Sequence, residues 1–200
     1  TVTGVQTCAL PIFETESDLS NARMMTPPAI LKLNMMLCKA TGARKVLDVG
    51  VFTGSSSLAA ALATEEKATI FALEKSRKYV EMCQKYWREA GVEHKIELML
   101  GDACQSLEQL IAQGHSQTFD FTYIDADKRS YIDYFSKSVQ LTRPGGVVAV
   151  DNTLFRGQVL DPSDKTSEAV HEFNAHIRSR KDVEVLVLPI EDGYTITTKK

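Results

Sequence analysis

The chain has 200 residues, 44% of them hydrophobic and 24% charged, with a formal net charge of −3. That size and balance suit one soluble globular domain with a full core. The slight acidity excludes a general affinity for nucleic acid or an anionic membrane, and no apolar run approaches the roughly 20 residues that a membrane-spanning helix needs. Cys8, Cys38, Cys83 and Cys104 lack C-x-x-C spacing and read as reduced thiols of an intracellular, cytoplasmic protein.

Residues 1–12 read as the in-frame translation of a sequencing-library adapter joined to a truncated open reading frame. They are set aside as an artefactual leader, Cys8 with them. Residues 13–200 are then a single domain whose true N-terminus, with any targeting or membrane-anchoring segment, is lost. From Thr26 onward, apolar runs alternate with helical patterns. Pro27-Pro28 starts a helix with an apolar stripe at Ile30, Leu33, Met36 and Leu37. Lys45–Val49 is a short buried strand, Ser55–Ala63 a small-residue helix, and Ala68–Leu73 a second strand. Ser76 caps a helix that runs through Trp87 to Ala90 and ends at Gly91. Ile96–Leu100 is a third strand, followed by a helix around Leu107 to Ala112. Phe119–Ile124 and Gly146–Val150 are the fourth and fifth strands, separated by a helix around Tyr131 to Leu141 and by the turn Arg143-Pro144-Gly145-Gly146. Ser163 to Lys165 reads as a mobile flap before a helix near Ser167 to Ser179. Val183–Leu188 and Tyr194–Thr198 form a hairpin across Glu191-Asp192-Gly193. Such alternation predicts right-handed crossovers and a three-layer α/β sandwich.

Two strand ends carry the chemistry. Ile124-Asp125-Ala126-Asp127-Lys128 follows the fourth strand, and Asp151-Asn152 follows the fifth. In an open parallel sheet the ligand crevice lies outside the carboxyl ends of the strands. Two carboxylates and an amide oxygen there are hard donors, suited to Mg²⁺ or Ca²⁺, and Lys128 stands where it can accept a proton. Taken singly, Asp125 and Asp127 also suit helix caps and Asp151-Asn152 a turn. A second constellation surrounds Leu47-Asp48-Val49-Gly50-Val51-Phe52-Thr53-Gly54-Ser55-Ser56, a strand, glycine turn and helix start. Its G-x-x-x-G spacing argues against NAD. Asp48 before the turn suits a ligand ammonium group. Glu74 after strand two suits ribose hydroxyls, and Asp102-Ala103 after strand three an adenine edge. The joint pattern suits S-adenosylmethionine.

These residues resemble the cation-dependent class I O-methyltransferases of the caffeoyl-CoA and catechol type, most closely the animal catechol O-methyltransferase domain-containing proteins. The likeness runs from about Asn21 to the C-terminus through Met24-Met25-Thr26, Leu47 to Ser56, Ala90 to Ile96, Ile124 to Lys128, Asp151 to Leu154 and Glu191-Asp192-Gly193. It implies a mostly parallel seven-stranded sheet of the class I S-adenosylmethionine-dependent methyltransferase (Rossmann-like) type, with a C-terminal antiparallel hairpin. It assigns Asp125, Asp151 and Asn152 to a divalent cation, Mg²⁺ first with Ca²⁺ and Mn²⁺ as alternatives. Lys128 matches the catalytic base, with Asp125 beside it. Asp48, Gly50, Ser56, Glu74, Ala103 and Asp127 match cofactor contacts. Asp102 and Asp125 join that set, as does Thr26, which lies near metal and substrate. The acceptor implied is a small catechol-like phenol, and the family habit is a homodimer. The chain departs from the plant enzymes at Arg156, where they place a substrate-touching Asn, and at His171-Glu172-Phe173-Asn174, which lacks their tyrosines. A methyltransferase fold that binds without turnover is the alternative function.

Overall fold

The computed structural model describes residues 24–200, so the expectations for the leader and for the start of the domain lie outside the described residues. Helix α1 (Pro28–Ala40) begins on a proline, whose fixed φ suits a first helical turn. Its buried face is Ile30, Leu31, Asn34, Met35 and Cys38, rotated from the expected stripe, and Met36 is 59% exposed. The shift has a polar cause: Asn34 turns inward because its Oδ1 accepts a hydrogen bond from the buried Tyr194 hydroxyl.

β1 (Lys45–Val49), α2 (Ser55–Ala63) and β2 (Thr69–Glu74) follow with short connections. Ser76 caps a 3₁₀ turn at Arg77–Tyr79, accepting from the Lys78 N–H at 3.2 Å, and α3 (Val80–Glu89) starts only after it. β3 (Ile96–Leu100), α4 (Ala103–Ala112), β4 (Phe119–Ile124), α5 (Tyr131–Leu141), β5 (Thr142–Asp151), α6 (Lys165–Ser179), β6 (Val183–Leu188) and β7 (Tyr194–Lys199) complete the described residues. β5 begins earlier than expected. Thr142 already pairs with Phe119, and Arg143–Gly146 bulges before Val147 pairs with Phe121. The proline and two glycines are therefore an interruption within the strand rather than a turn ahead of it.

The seven strands form one sheet in the order β3-β2-β1-β4-β5-β7-β6. β1 to β5 run parallel, and β7 is antiparallel to both β5 and β6. One core cluster, with Ile30, Leu58, Trp87, Phe121 and Tyr123, packs α1, α2 and α3 on one face. The other, with Leu47, Leu107, Phe135 and Phe173, packs α4, α5 and α6 on the opposite face. Among the described residues β6 is the edge strand, on which Val185, Leu186 and Val187 are 40%, 56% and 46% exposed. No helix among the described residues is long and apolar enough to cross a membrane. The chain winds outward from β1 to β3, then returns to place β4 on β1's other side. Such a reversal opens a crevice at the carboxyl ends of the strands.

Candidate active site

The turn after β1 forms the floor of the crevice. The Gly50 N–H donates to Leu73 O at 3.0 Å, and the Asp125 N–H donates to Val49 O at 2.9 Å, so the turn is tied to the ends of β2 and β4. Gly50 has φ +96°, and a Cβ there would stand 2.3 Å from the Asp125 carbonyl oxygen. Only glycine permits both that dihedral and that approach. Gly54, at φ +90°, begins α2, whose first turn no side chain caps, leaving backbone N–H groups directed at the crevice. Trp87 Nε1 donates to Gly54 O at 3.1 Å and Cys83 Sγ to Phe52 O at 3.4 Å. Both residues brace the turn from behind.

Glu74 closes the turn from β2. Its Oε2 accepts the N–H groups of Val51 (3.1 Å) and Phe52 (2.8 Å), and its Oε1 accepts that of Ser76 (2.7 Å). Asp102 instead caps α4, accepting from the Gln105 N–H at 3.2 Å, and only its neighbour Ala103 lines the crevice.

Asp48 sits elsewhere than its place before the turn implied. Strand alternation puts it on the Val46 face, under α2, where it is 1% exposed. Its Oδ2 accepts from the hydroxyls of Ser56 (2.7 Å) and Ser57 (2.5 Å), and its buried Oδ1 has no partner among the described residues. Neither Asp48 nor Ser56 lines the crevice; Ser55 does. Burial pushes the Asp48 carboxyl up to about 7, against the two serines, which lower it. A carboxyl raised on folding contributes stability that is complete below about pH 4 and lost as pH rises through about 7. Asp48→Asn removes that dependence. Relative to the parent, the variant should gain up to ~4 kcal/mol between pH 4 and 8, as read from paired thermal melts. A difference that does not vary with pH would return Asp48 to an ordinary carboxylate.

The ends of β4 and β5 meet beside this floor. Asp125 Oδ1 accepts from Lys128 Nζ at 2.7 Å. Asp151 Oδ2 accepts from the Tyr123 hydroxyl at 2.6 Å, and its Oδ1 from the Asn152 N–H at 2.8 Å. The Tyr131 hydroxyl holds the Asp151 carbonyl at 3.0 Å. Asn152, at φ +56°, turns the chain away from the strand in the left-handed region that Asn tolerates. Burial first, and then the Asp125 charge, push the Asp151 carboxyl up to about 6. Each of its oxygens keeps a lone pair beyond the bonds it accepts. Among the described residues no three His, Cys, Asp or Glu side chains group as a metal site. The set here is two carboxylates and an amide, a donor chemistry that fits a hard divalent cation.

The Gly50 turn, Glu74 and the ends of β4 and β5 open on one cavity of about 690 Å³. It brings together Thr26, Gly50, Glu74, Ala103, Asp125, Asp127, Lys128, Asp151 and Asn152 of the expected residues, and leaves out Asp48, Ser56 and Asp102. Phe52, Tyr79, Phe155 and Asp192 line it too without the sequence having given them a role, and so does Arg156, which the sequence marked only as a departure from the plant enzymes. Phe52 packs edge-to-face on Tyr79 with centroids 4.7 Å apart. These residues lie in turns, where no periodicity points at a shared hollow. Ser163 to Lys165 is an N-cap rather than a flap: Asp164 and Ser167 form a capping box at the start of α6.

The reversal point between β1 and β4, the glycine turn and the acid after β2 define a doubly wound nucleotide-binding fold of the methyltransferase type. The profile of the O-methyltransferase family matches residues 10–200, and the chain belongs to that family. It is 39% identical over 188 residues to probable caffeoyl-CoA O-methyltransferase 1 of Dictyostelium discoideum, covering 92% of this chain and 82% of that protein. It is 37% identical over 193 residues to catechol O-methyltransferase domain-containing protein 1 of Mus musculus, covering 96% and 73%. Among solved structures, the O-methyltransferase TomG of Streptomyces achromogenes, in complex with S-adenosylmethionine, superposes with TM-score 0.87 at 29% identity, covering 99% of this chain and 90% of that one.

Proposed function

We propose that the protein transfers a methyl group from S-adenosylmethionine to a hydroxyl of a small vicinal diphenol, with a divalent cation at Asp125, Asp151 and Asn152. One observation carries the reading. The glycine turn and the paired carboxylates share a wall, because Gly50 packs directly on the Asp125 backbone. A donor lying on the turn therefore adjoins an acceptor held at the carboxylates, and such positioning can supply several kcal/mol of the barrier, about 7–11 at the extreme. Glu74 holds the ribose end and Ala103 borders the adenine end of the donor site. A cation between the carboxylates lowers the pKa of a hydroxyl that it contacts, and Mg²⁺ is the size that suits few protein ligands. Lys128, with Nζ 2.7 Å from Asp125 Oδ1, receives the hydroxyl proton in its neutral form, after its ammonium proton has passed to solvent. Phe155 and Met25 border the acceptor side of the cavity with apolar surface.

Turnover of catechol with S-adenosylmethionine, followed by mass spectrometry with and without EDTA, tests the whole. Turnover is expected to stop with EDTA and return with Mg²⁺; an EDTA-insensitive rate would remove the cation from the reading. Glu74→Ala should weaken S-adenosylhomocysteine binding about 10-fold or more in calorimetry, since it loses a charged acceptor and loosens the turn. Unchanged affinity would take Glu74 out of the donor site.

A further inference from the structure

Three buried tyrosines, Tyr123, Tyr131 and Tyr194, surround the end of β5, and their hydroxyls have different uses. Tyr131, at the start of α5, donates to the Asp151 carbonyl oxygen at 3.0 Å. Tyr194, the register partner of Asp151 across β5 and β7, donates to Asn34 Oδ1 in α1. Of the three, Tyr123 is the one that reaches the Asp151 carboxylate, 2.6 Å from Oδ2. Thr26 Oγ1 lies 3.4 Å from the same hydroxyl, so the single phenolic proton is committed to the nearer carboxylate oxygen.

The sheet fixes where that hydroxyl stands. Tyr123 pairs with Ala149, two residues before Asp151, and residues two apart on a strand share a face. Its ring stacks on Tyr194, with centroids 6.4 Å apart and 26° between the planes, and Tyr194 is itself tied to α1. On the other oxygen of Asp151 the Asn152 N–H donates at 2.8 Å. A carboxylate bonded at both oxygens cannot swing about its Cβ–Cγ bond while both bonds hold. Freedom of that kind separates two hard cations. Mg²⁺ demands near-ideal octahedral oxygens at short distance, whereas Ca²⁺ takes more oxygens, mono- or bidentate, in flexible arrangements. A carboxylate held in one orientation suits the first, and one free to swing suits the second. We propose that Tyr123 is a positioning residue that fixes the Asp151 carboxylate and so tilts the site toward Mg²⁺ and away from Ca²⁺. The inference rests on the divalent cation of the reading above and adds the residue that discriminates among hard cations.

The test is calorimetric titration of magnesium chloride and of calcium chloride into the full chain loaded with S-adenosylhomocysteine, for the parent, Tyr123→Phe and Tyr131→Phe. Tyr123→Phe keeps the ring and its stack but releases Oδ2. Its Mg²⁺ affinity should fall about 10- to 100-fold, the usual cost of losing a hydrogen bond that orients a metal ligand. Its Ca²⁺ affinity should fall less than about threefold, since Ca²⁺ tolerates the freed carboxylate. Tyr131→Phe removes an equally buried hydroxyl from the Asp151 backbone and leaves the carboxylate anchored. It should keep the ratio of the two affinities within about twofold of the parent. Equal losses for both ions in Tyr123→Phe, or no loss for either, would overturn the assignment and leave the cation in place. The same shift of ratio in Tyr131→Phe would also overturn it, since a general loosening would then account for both variants. No binding of either ion by the parent would overturn the cation reading and this inference together.

Discussion

Replacing Asp151 by alanine should lower diphenol turnover by about 10³-fold while S-adenosylhomocysteine affinity stays within about threefold of the parent. The separation follows from where the side chain points. Asp151 is 1% exposed, and its carboxylate is oriented by the Tyr123 hydroxyl at 2.6 Å and its own neighbour's N–H at 2.8 Å. The Asp125 charge helps to raise its pKa, and its carboxylate makes no bond to the turn where Glu74 bonds Val51 and Phe52. Loss of the carboxylate therefore removes half of the negative charge that a cation would meet and leaves the donor site intact. Alanine also strands the Tyr123 hydroxyl and the Asn152 N–H, each at about 1–3 kcal/mol, so a drop in thermal stability should accompany the loss of rate. Asp151→Asn keeps the volume and an acceptor for Tyr123, and should fold better yet remain as slow. Equal losses of turnover and cofactor affinity in both variants would contradict the division of the cavity into two sites.

Gly50→Ala should fail for a different reason and in both functions at once. The added methyl would stand 2.3 Å from the Asp125 carbonyl oxygen and 2.8 Å from its carbon, on a residue with φ +96°. Both the dihedral and the contact must relax, at a combined cost of about 3–5 kcal/mol, or a melting-temperature loss of about 10 °C in a chain of this size. The relaxation moves Asp125 relative to the turn, so cofactor affinity and turnover should fall together. A melting temperature within about 2 °C of the parent, with normal turnover, would mean that β1 and β4 do not cross as closely as described.

Much of this architecture is legible along the chain. The inner parallel strands are mostly buried on both faces and so read as near-continuous apolar runs, as in Val46-Leu47 and Val147-Val148-Ala149-Val150, whereas β3 at the sheet edge is only partly buried. Helices with short polar connections between such runs leave few topologies, and the seven strands and the terminal hairpin follow from that. The polar residues at the ends of β4 and β5 stand out because each group directly follows a buried apolar run, and the cavity does bring them together.

Other features depended on packing across the sheet. Alternation sends Asp48 to one face or the other, but only the position of α2 makes that face a buried serine cage and not a ligand wall. Asp102 reads as a cofactor contact after β3, and the nearness of the Gln105 N–H makes it a cap instead. Asn34 lies on the buried face of α1 only because Tyr194, 160 residues away, supplies its hydroxyl.

By itself, the sequence determined the order of strands and helices, the glycine turn and the acidic strand ends, since these depend on local periodicity and on residue types that suit one backbone geometry. Only the tertiary structure decided which acids face the cavity, that Tyr123 and Tyr131 hold Asp151, and that Arg156 lines its wall clamped by Asp192. Those contacts join segments far apart in the chain, and no local pattern encodes a hydrogen bond whose partner arrives from another strand.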